Sequence, residues 1–356
     1  VIHTLHIIGS KKSGGAERFY VRLVGALHER GHPVRAVSPP GSEVAQQLGA
    51  GIPQTPVPMY GVWDLWSRWR IQRLVETYRP AIVQTYMGRA TRLTHVKPAA
   101  AVHVARLGGY YNLKGYRHAH AWVGNTRGIC DYLVKNGLPA SKVFHIGNFV
   151  DAPAPAAPGQ LHALRAHWRI PDEALIVLSV GRLHPNKGFA DLLEAFTALP
   201  QTVHNRPLYL LIAGDGPLAG ALRTRADELG ITPRTRWTGW QNDLSPFYQS
   251  ASVFVSAARH EPLGNVILEA WAHGAPIIAT RTLGAEELIE HETSGLLTLC
   301  AQPERLARDI LHLLEQDDAA RRALIERGLQ NIRTAYSKEA VVNAYLDLYQ
   351  RLAGER

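Results

Sequence analysis

The chain has 356 residues, 46% of them hydrophobic, which is enough for two domains of ordinary size with separate cores. No apolar run approaches the roughly 20 residues that a membrane-spanning helix needs. Cys130 and Cys300 stand far apart, without a second Cys or ordered His nearby, which excludes a disulfide framework and a zinc site and leaves both as expected buried small hydrophobes.

Charge is segregated. Residues 1–150 carry 19 basic and 6 acidic side chains, a net +13, whereas residues 151–356 carry 20 and 24, a net −4. Such a split points the first half towards something anionic: nucleic acid, a phosphorylated saccharide or an acidic membrane surface.

In chain order, Val1–Ile8 reads as a strand without a charged leader before it, so a cytoplasmic protein is expected. The strand runs into Gly9-Ser10-Lys11-Lys12-Ser13-Gly14-Gly15-Ala16-Glu17. Paired glycines opening a helix let backbone approach an anion, and the helix dipole adds a favourable field. The spacing matches neither the dinucleotide fingerprint nor a P-loop. A helix over 16–29, a strand over 34–38, a helix over 63–78 and a strand over 81–85 continue the β-α-β rhythm of a parallel sheet. On the helix of 63–78, Trp63, Trp66 and Trp69 interleave with Arg68, Arg70 and Arg73. The indoles are expected to cover the sheet, while the summed charge is expected to draw the domain towards anionic lipid.

Asp151-Ala152-Pro153-Ala154-Pro155-Ala156-Ala157-Pro158-Gly159 then reads as an interdomain linker. It divides a first domain, 1–150, from a second, 151–337. The second restarts the rhythm with strands over 174–180, 208–213, 253–256 and 276–280 and helices over 189–199, 218–229 and 265–272. Ligands are expected at the carboxyl ends of such strands. There, Gly181-Arg182-Leu183-His184-Pro185-Asn186-Lys187-Gly188 offers two cations suited to phosphate oxygens. The run from His260 to Ala270 places Glu261 before a turn made by Pro262 and Gly264, and Glu269 within the helix that follows. Amides at a helix mouth beside carboxylates for neighbouring hydroxyls suit a nucleotide sugar better than a metal or a bare nucleotide. Three helical patterns, over 303–314, 319–335 and 338–352, end the chain, the last presenting Val341, Val342, Tyr345, Leu348 and Tyr349 on one side.

Gly14-Gly15-Ala16-Glu17, Gly181-Arg182-Leu183 with Lys187-Gly188, Gly214-Asp215-Gly216-Pro217, the Glu261 to Glu269 run, and Gly284-Ala285-Glu286-Glu287 with Ser294-Gly295-Leu296-Leu297 resemble, in order, the landmarks of glycosyltransferase family 4. The resemblance implies an α/β GT-B fold: two Rossmann-like doubly wound domains facing a central cleft, the first for acceptor and the second for nucleotide sugar, with the C-terminal helix, 338–356, crossing back to the first domain on Tyr345 and Tyr349.

It also implies retention of anomeric configuration, with no cofactor and no metal. Arg182 and Lys187 would hold the diphosphate, Glu261 the sugar hydroxyls and Glu269 the ribose. Leu263, Gly264 and Asn265 would lend backbone amides, Gly14 and Gly15 would approach the phosphate, and Trp240 would flank the base. The chain departs from the family where a His is common after the fourth strand of the first domain: here Val104 to Tyr111 stands instead, and Arg106 and Tyr110 become the residues expected to border the acceptor.

The partners this implies are a nucleotide sugar (a UDP-sugar, with GDP-mannose as the alternative), a glycan or glycolipid acceptor of lipopolysaccharide or envelope polysaccharide synthesis, and an anionic membrane surface on which the protein sits peripherally. No nucleic-acid partner is implied. A nucleotide-sugar epimerase, an NAD-dependent Rossmann oxidoreductase and a non-catalytic nucleotide-sugar binder are the competing readings; the missing dinucleotide fingerprint weighs against the oxidoreductase.

Overall fold

The computed structural model describes residues 2–12, 14–151 and 153–355; Val1 of the expected first strand, Ser13 of the glycine loop, Ala152 of the linker and Arg356 lie outside them. Two compact units divide the chain, one of residues 1–149 with 338–356 and one of residues 150–337.

The first unit runs β1 (Thr4–Ile8), α1 (Gly15–Glu29), β2 (Val34–Ser38), α2 (Glu43–Gln47), β3 (Gln54–Pro56), α3 (Leu65–Tyr78), β4 (Ile82–Tyr86), α4 (Met87–Leu93), β5 (Val102–Leu107), β6 (Ala121–Gly124), α5 (Arg127–Lys135) and β7 (Val143–His145). Its sheet has the order β3-β2-β1-β4-β5-β6-β7, and every pair is parallel. A parallel sheet is covered on both faces, so β1, β4 and β5 are buried at every position.

The second unit runs α6 (Gln160–His167), β8 (Leu175–Val180), α7 (Phe189–Thr197), β9 (Thr202–Val203), β10 (Arg206–Ala213), α8 (Ala219–Glu228), β11 (Thr235–Gly239), α9 (Ser245–Ser250), β12 (Val253–Ser256), α10 (Asn265–Ala272), β13 (Ile277–Thr280), α11 (Leu283–Leu288), β14 (Leu296–Thr298), α12 (Pro303–Glu315) and α13 (Asp318–Ala335). Its parallel sheet has the order β11-β10-β8-β12-β13-β14, with β9 antiparallel at the start of β10. Strand order reverses between β1 and β4 in one sheet and between β8 and β12 in the other. At such a switch point the loops leaving adjacent strands part in opposite directions and open a crevice.

After α13 the chain enters α14 (Lys338–Gly354), which packs on the first unit. Val341, Val342, Tyr345, Leu348, Tyr349 and Leu352 join the core of β1, β4 and α1. Tyr349 donates to Gln84 Oε1 on β4 at 2.6 Å, and Lys338 pairs with Glu29 at the end of α1.

Two expectations change. α3 begins at Leu65, where Asp64 caps it by accepting from the amide of Ser67 at 2.9 Å. The helix covers the sheet with Ser67, Ile71 and Val75, and Trp63, Trp66 and Trp69 are exposed rather than core-packing. The physical reason is phase. At about 100° per residue, Ser67, Ile71 and Val75 share a face opposite Trp66 and Trp69, and β-branched side chains fit the sheet surface. Cys130 and Cys300, expected buried, are only half-buried.

Candidate functional site

The loops leaving β8 and β12, on either side of the second sheet's switch point, carry Lys187 and Glu261 respectively, and the two side chains form an ion pair. Both are largely withdrawn from solvent, which strengthens their attraction. Local geometry explains how they are brought together. Residues 185–187 form one turn of 3-10 helix, closed by Gly188 at φ 63°. A Cβ on Gly188 would lie 1.9 Å from the carbonyl oxygen of Ala257, so only glycine lets the two loops touch. The amide of Arg259 then donates to the carbonyl of Asn186 at 2.8 Å. The Arg259 guanidinium grips Asp191 on α7 with two hydrogen bonds of 2.7 and 2.6 Å. That fork fixes the approach of Glu261 to Lys187.

Glu261 is held from its other side as well. Its carbonyl accepts from the amide of Gly284 at 3.0 Å. A Cβ on Gly284 would sit 2.5 Å from the Leu263 backbone, so the first turn of α11 nests directly against the turn entering α10. Leu263 is buried beneath that turn, and Gly264, left-handed at φ 84°, is the N-cap of α10. No side chain caps this helix, and its first-turn amides carry the partial positive charge that anions seek.

Glu269 lies one turn inside α10, and its Oε2 accepts from the Tyr248 hydroxyl of α9 at 3.1 Å. Tyr248 is itself stacked on His273 at 5.0 Å between ring centroids. Arg182 stands on the β8 loop with an exposed side chain, and Trp240 is exposed in the loop after β11. Neither shares a described contact with the Lys187–Glu261 pair. Leu263, Gly264, Asn265, Glu261 and Lys187 thus come together, with Glu269 on the same helix, while Arg182 and Trp240 remain separate solvent-facing groups. Sequence reasoning missed Tyr248, Arg259 and Asp191. An Arg two positions before Glu261 and an acid three positions after Gly188 were signals of a clamp between the two loops.

In the first unit Gly14 is the N-cap of α1 and Gly15 its first residue, with Glu17 folded back within 2.8 Å of where a Gly14 Cβ would be. Tyr110 lies half-buried against Tyr132. Arg106, expected to border an acceptor, is only 3% exposed. Its Nε donates to the Tyr345 hydroxyl at 3.0 Å, its Nη2 to Asn148, and its guanidinium lies 3.9 Å from the Phe19 ring centroid. Those contacts make it a pin between β5, α1 and α14 rather than an exposed acceptor contact. Among the described residues no group of three or more His, Cys, Asp or Glu is placed to hold a metal ion.

Comparison with known proteins matches two family models in tandem: Glycosyltransferase Family 4 over residues 13–152 and Glycosyl transferases group 1 over residues 162–331. The lipopolysaccharide core biosynthesis glycosyltransferase LpsD of Rhizobium meliloti is 35% identical over 346 residues, covering 96% of this chain and 97% of that protein. Among solved structures, a glycosyltransferase from Rickettsia africae superimposes with a TM-score of 0.85 at 20% identity over 99% of this chain and 98% of the other. Anabaena Alr3699/HepE, in complex with UDP and glucose, does so with a TM-score of 0.82 at 18% identity over 99% and 100%.

Proposed function

The chain belongs to glycosyltransferase family 4 and has its GT-B fold, and from that premise we propose that it transfers a sugar, with retention of anomeric configuration, from a UDP-sugar to a hydroxyl of a glycan or glycolipid in lipopolysaccharide core assembly. The near full-length likeness to a lipopolysaccharide core enzyme supports the acceptor class. UDP is preferred to GDP because a protein of the same fold holds UDP and glucose; GDP-mannose is the alternative donor. Peripheral association with the membrane that presents a glycolipid acceptor is part of this reading.

The observation that carries it is the Lys187–Glu261 pair at the switch point of the second sheet, next to the uncapped mouth of α10. Lys187 and Arg182 would take the diphosphate, and the first-turn amides of α10, from the Leu263-Gly264-Asn265 turn, would take its distal phosphate. Glu261 would accept from sugar hydroxyls and Glu269 from the ribose, with Trp240 against the base. The bond from the anomeric carbon to the diphosphate oxygen breaks as these cations and dipoles absorb the charge, which is the largest catalytic effect in such a site. The acceptor oxygen bonds to the anomeric carbon on the same face, and its proton passes to the departing phosphate oxygen. Gly14 and Gly15 would approach the phosphate with backbone amides, and Tyr110 would border the acceptor. The scheme calls for no metal and no cofactor.

The test is incubation of the purified chain with UDP-sugars, GDP-mannose and a truncated lipopolysaccharide core. Mass spectrometry reads the added sugar, and the anomeric proton coupling reads the configuration. Transfer with inversion would overturn the mechanism, and absence of nucleoside diphosphate release from every donor would overturn the reading.

A further inference from the structure

We propose that α3 and the turn before it form a docking face for an anionic lipid surface, a deepening that rests on the glycolipid-acceptor reading. Of the ten large hydrophobic side chains exposed among the described residues, five cluster here: Tyr60 at 76%, Trp63 at 89%, Leu65 at 74%, Trp66 at 54% and Trp69 at 52% exposure. A folded monomer rarely leaves so much contiguous apolar surface in water without a use for it.

Cations overlie the rings. Arg70 stands 5.7 Å from the Trp66 ring centroid, Arg73 5.9 Å from that of Trp69 and Lys11 5.8 Å from that of Tyr60. At about 100° per residue, Trp66, Trp69, Arg70 and Arg73 fall within an arc of roughly 100° facing away from Ile71 and Val75. Indoles and tyrosines settle at the headgroup level of a bilayer, and guanidinium groups pair with headgroup phosphates, so one face satisfies both layers of an interface.

The acids nearby do not cancel it. The carboxylate of Asp64 is taken by the amides of Tyr60 and Ser67 and the Ser67 hydroxyl, and Glu76 lies at the far end, beside Arg73 and Gln72. The charge of the whole first half, +13 over residues 1–150, favours an extended anionic surface over a single acidic protein groove. Lys11, over the Tyr60 ring, belongs to the loop that leaves β1 for the Gly14–Gly15 helix start, so lipid docked on α3 would reach that loop.

Co-sedimentation of the full chain with phosphatidylglycerol-containing and pure phosphatidylcholine vesicles tests the proposal. Binding to the anionic vesicles should be at least about 10-fold stronger and should fall with salt as the Debye length shortens. Arg70→Gln with Arg73→Gln should weaken it about 25-fold, each basic group near an anionic surface being worth about five-fold. Trp63→Ser, Trp66→Ser and Trp69→Ser together should weaken it roughly 10-fold or more, with an unchanged melting temperature because all three side chains are exposed. Equal partitioning to the two lipids overturns the proposal. So does a triple variant that binds as the wild type, or one whose only change is loss of self-association in light scattering. UDP affinity, measured on the same preparations, keeps the two readings apart: vesicle binding without UDP binding defeats the donor assignment and spares the docking face, and the reverse defeats the docking face alone.

Discussion

Lys187 and Glu261, 74 positions apart in sequence, neutralise one another across the loops that follow β8 and β12. In the unliganded enzyme each is therefore the other's counter-ion. Under the proposed roles a nucleotide sugar would have to compete for both, its diphosphate for the ammonium and its sugar hydroxyls for the carboxylate.

From that competition Lys187→Ala is expected to lower turnover roughly 100-fold or more, as the loss of a preorganised charge at a developing anion does. Glu261→Ala should lower turnover while UDP binds as tightly as before, or more tightly, because Lys187 is released. The two effects should be coupled by more than about 0.5 kcal/mol in a double-mutant cycle. Steady-state kinetics with calorimetry of UDP binding checks this. A full-rate Arg182→Ala/Lys187→Ala variant would remove the diphosphate assignment.

Glu269 is oriented by the Tyr248 hydroxyl, which is its described side-chain partner. Glu269→Ala should weaken UDP binding by about 1 to 3 kcal/mol, the range of a charge-assisted hydrogen bond, and Tyr248→Phe by about 0.5 to 1.5 kcal/mol. Turnover at saturating donor should move less than affinity. Equal UDP affinities for the wild type and Glu269→Ala would defeat the ribose role, and an effect of Tyr248→Phe on melting temperature alone would make Tyr248 purely structural.

What was legible in the sequence follows from range. The switch-point loops announce themselves locally: cations after an apolar strand, and Pro262 and Gly264 ahead of the helix of Glu269. α14 was legible because Tyr345 and Tyr349 repeat at helical spacing and must be covered. What could not be read is pairing at a distance. Arg106 finds Tyr345 across 239 positions, and nothing near either residue signals it. The strand of Arg106 was also hidden, since β5 carries His103 and Arg106 fully inside and breaks the apolar pattern. On α3 both faces bear large apolar residues, so composition misassigned the tryptophans. The deciding features were Asp64, whose cap fixes the start, and the small, buried Ser67.

The Arg106 pin predicts a stability defect rather than a catalytic one. Arg106→Ala strips Asn148 and the Tyr345 hydroxyl of a buried donor, a loss on the order of 3 kcal/mol. Lys, with no planar fork, should not restore both bonds. Tyr345→Phe should cost about 1 kcal/mol. Urea unfolding measures each. Deleting 338–356 would bare the core face that Tyr345, Tyr349 and Leu348 cover, and the product should be insoluble; a soluble, fully active truncation would refute the role given to α14.

The same domain should be sensitive to acid. Burial holds His6 down to about 3, from an ordinary value of 6.5, with its ring between Tyr86 and Thr4 at 2.9 and 3.2 Å. His103 is pushed well below 6.5, chiefly by burial and then by His118, His120 and His95 around it. His95 falls to about 4, again through burial first, with His118 stacked on it at 4.1 Å and Arg68 adding repulsion. His120 is lowered by burial too. In the unfolded chain these rings gain protons below about pH 6.5, while in the folded chain they stay neutral until far lower pH. The unfolded state thus binds more protons throughout that window. Stability should be flat above about pH 7 and fall progressively from about pH 6.5 towards pH 4, with His6 alone removing about 2 kcal/mol by about pH 5. Melting temperature followed across that range should show the slope, and His6→Leu should flatten part of it even though it forfeits the bond to Tyr86. A melting temperature that rises on acidification, or a His6→Leu slope identical to the wild type, would show that the neutral histidines are not the source.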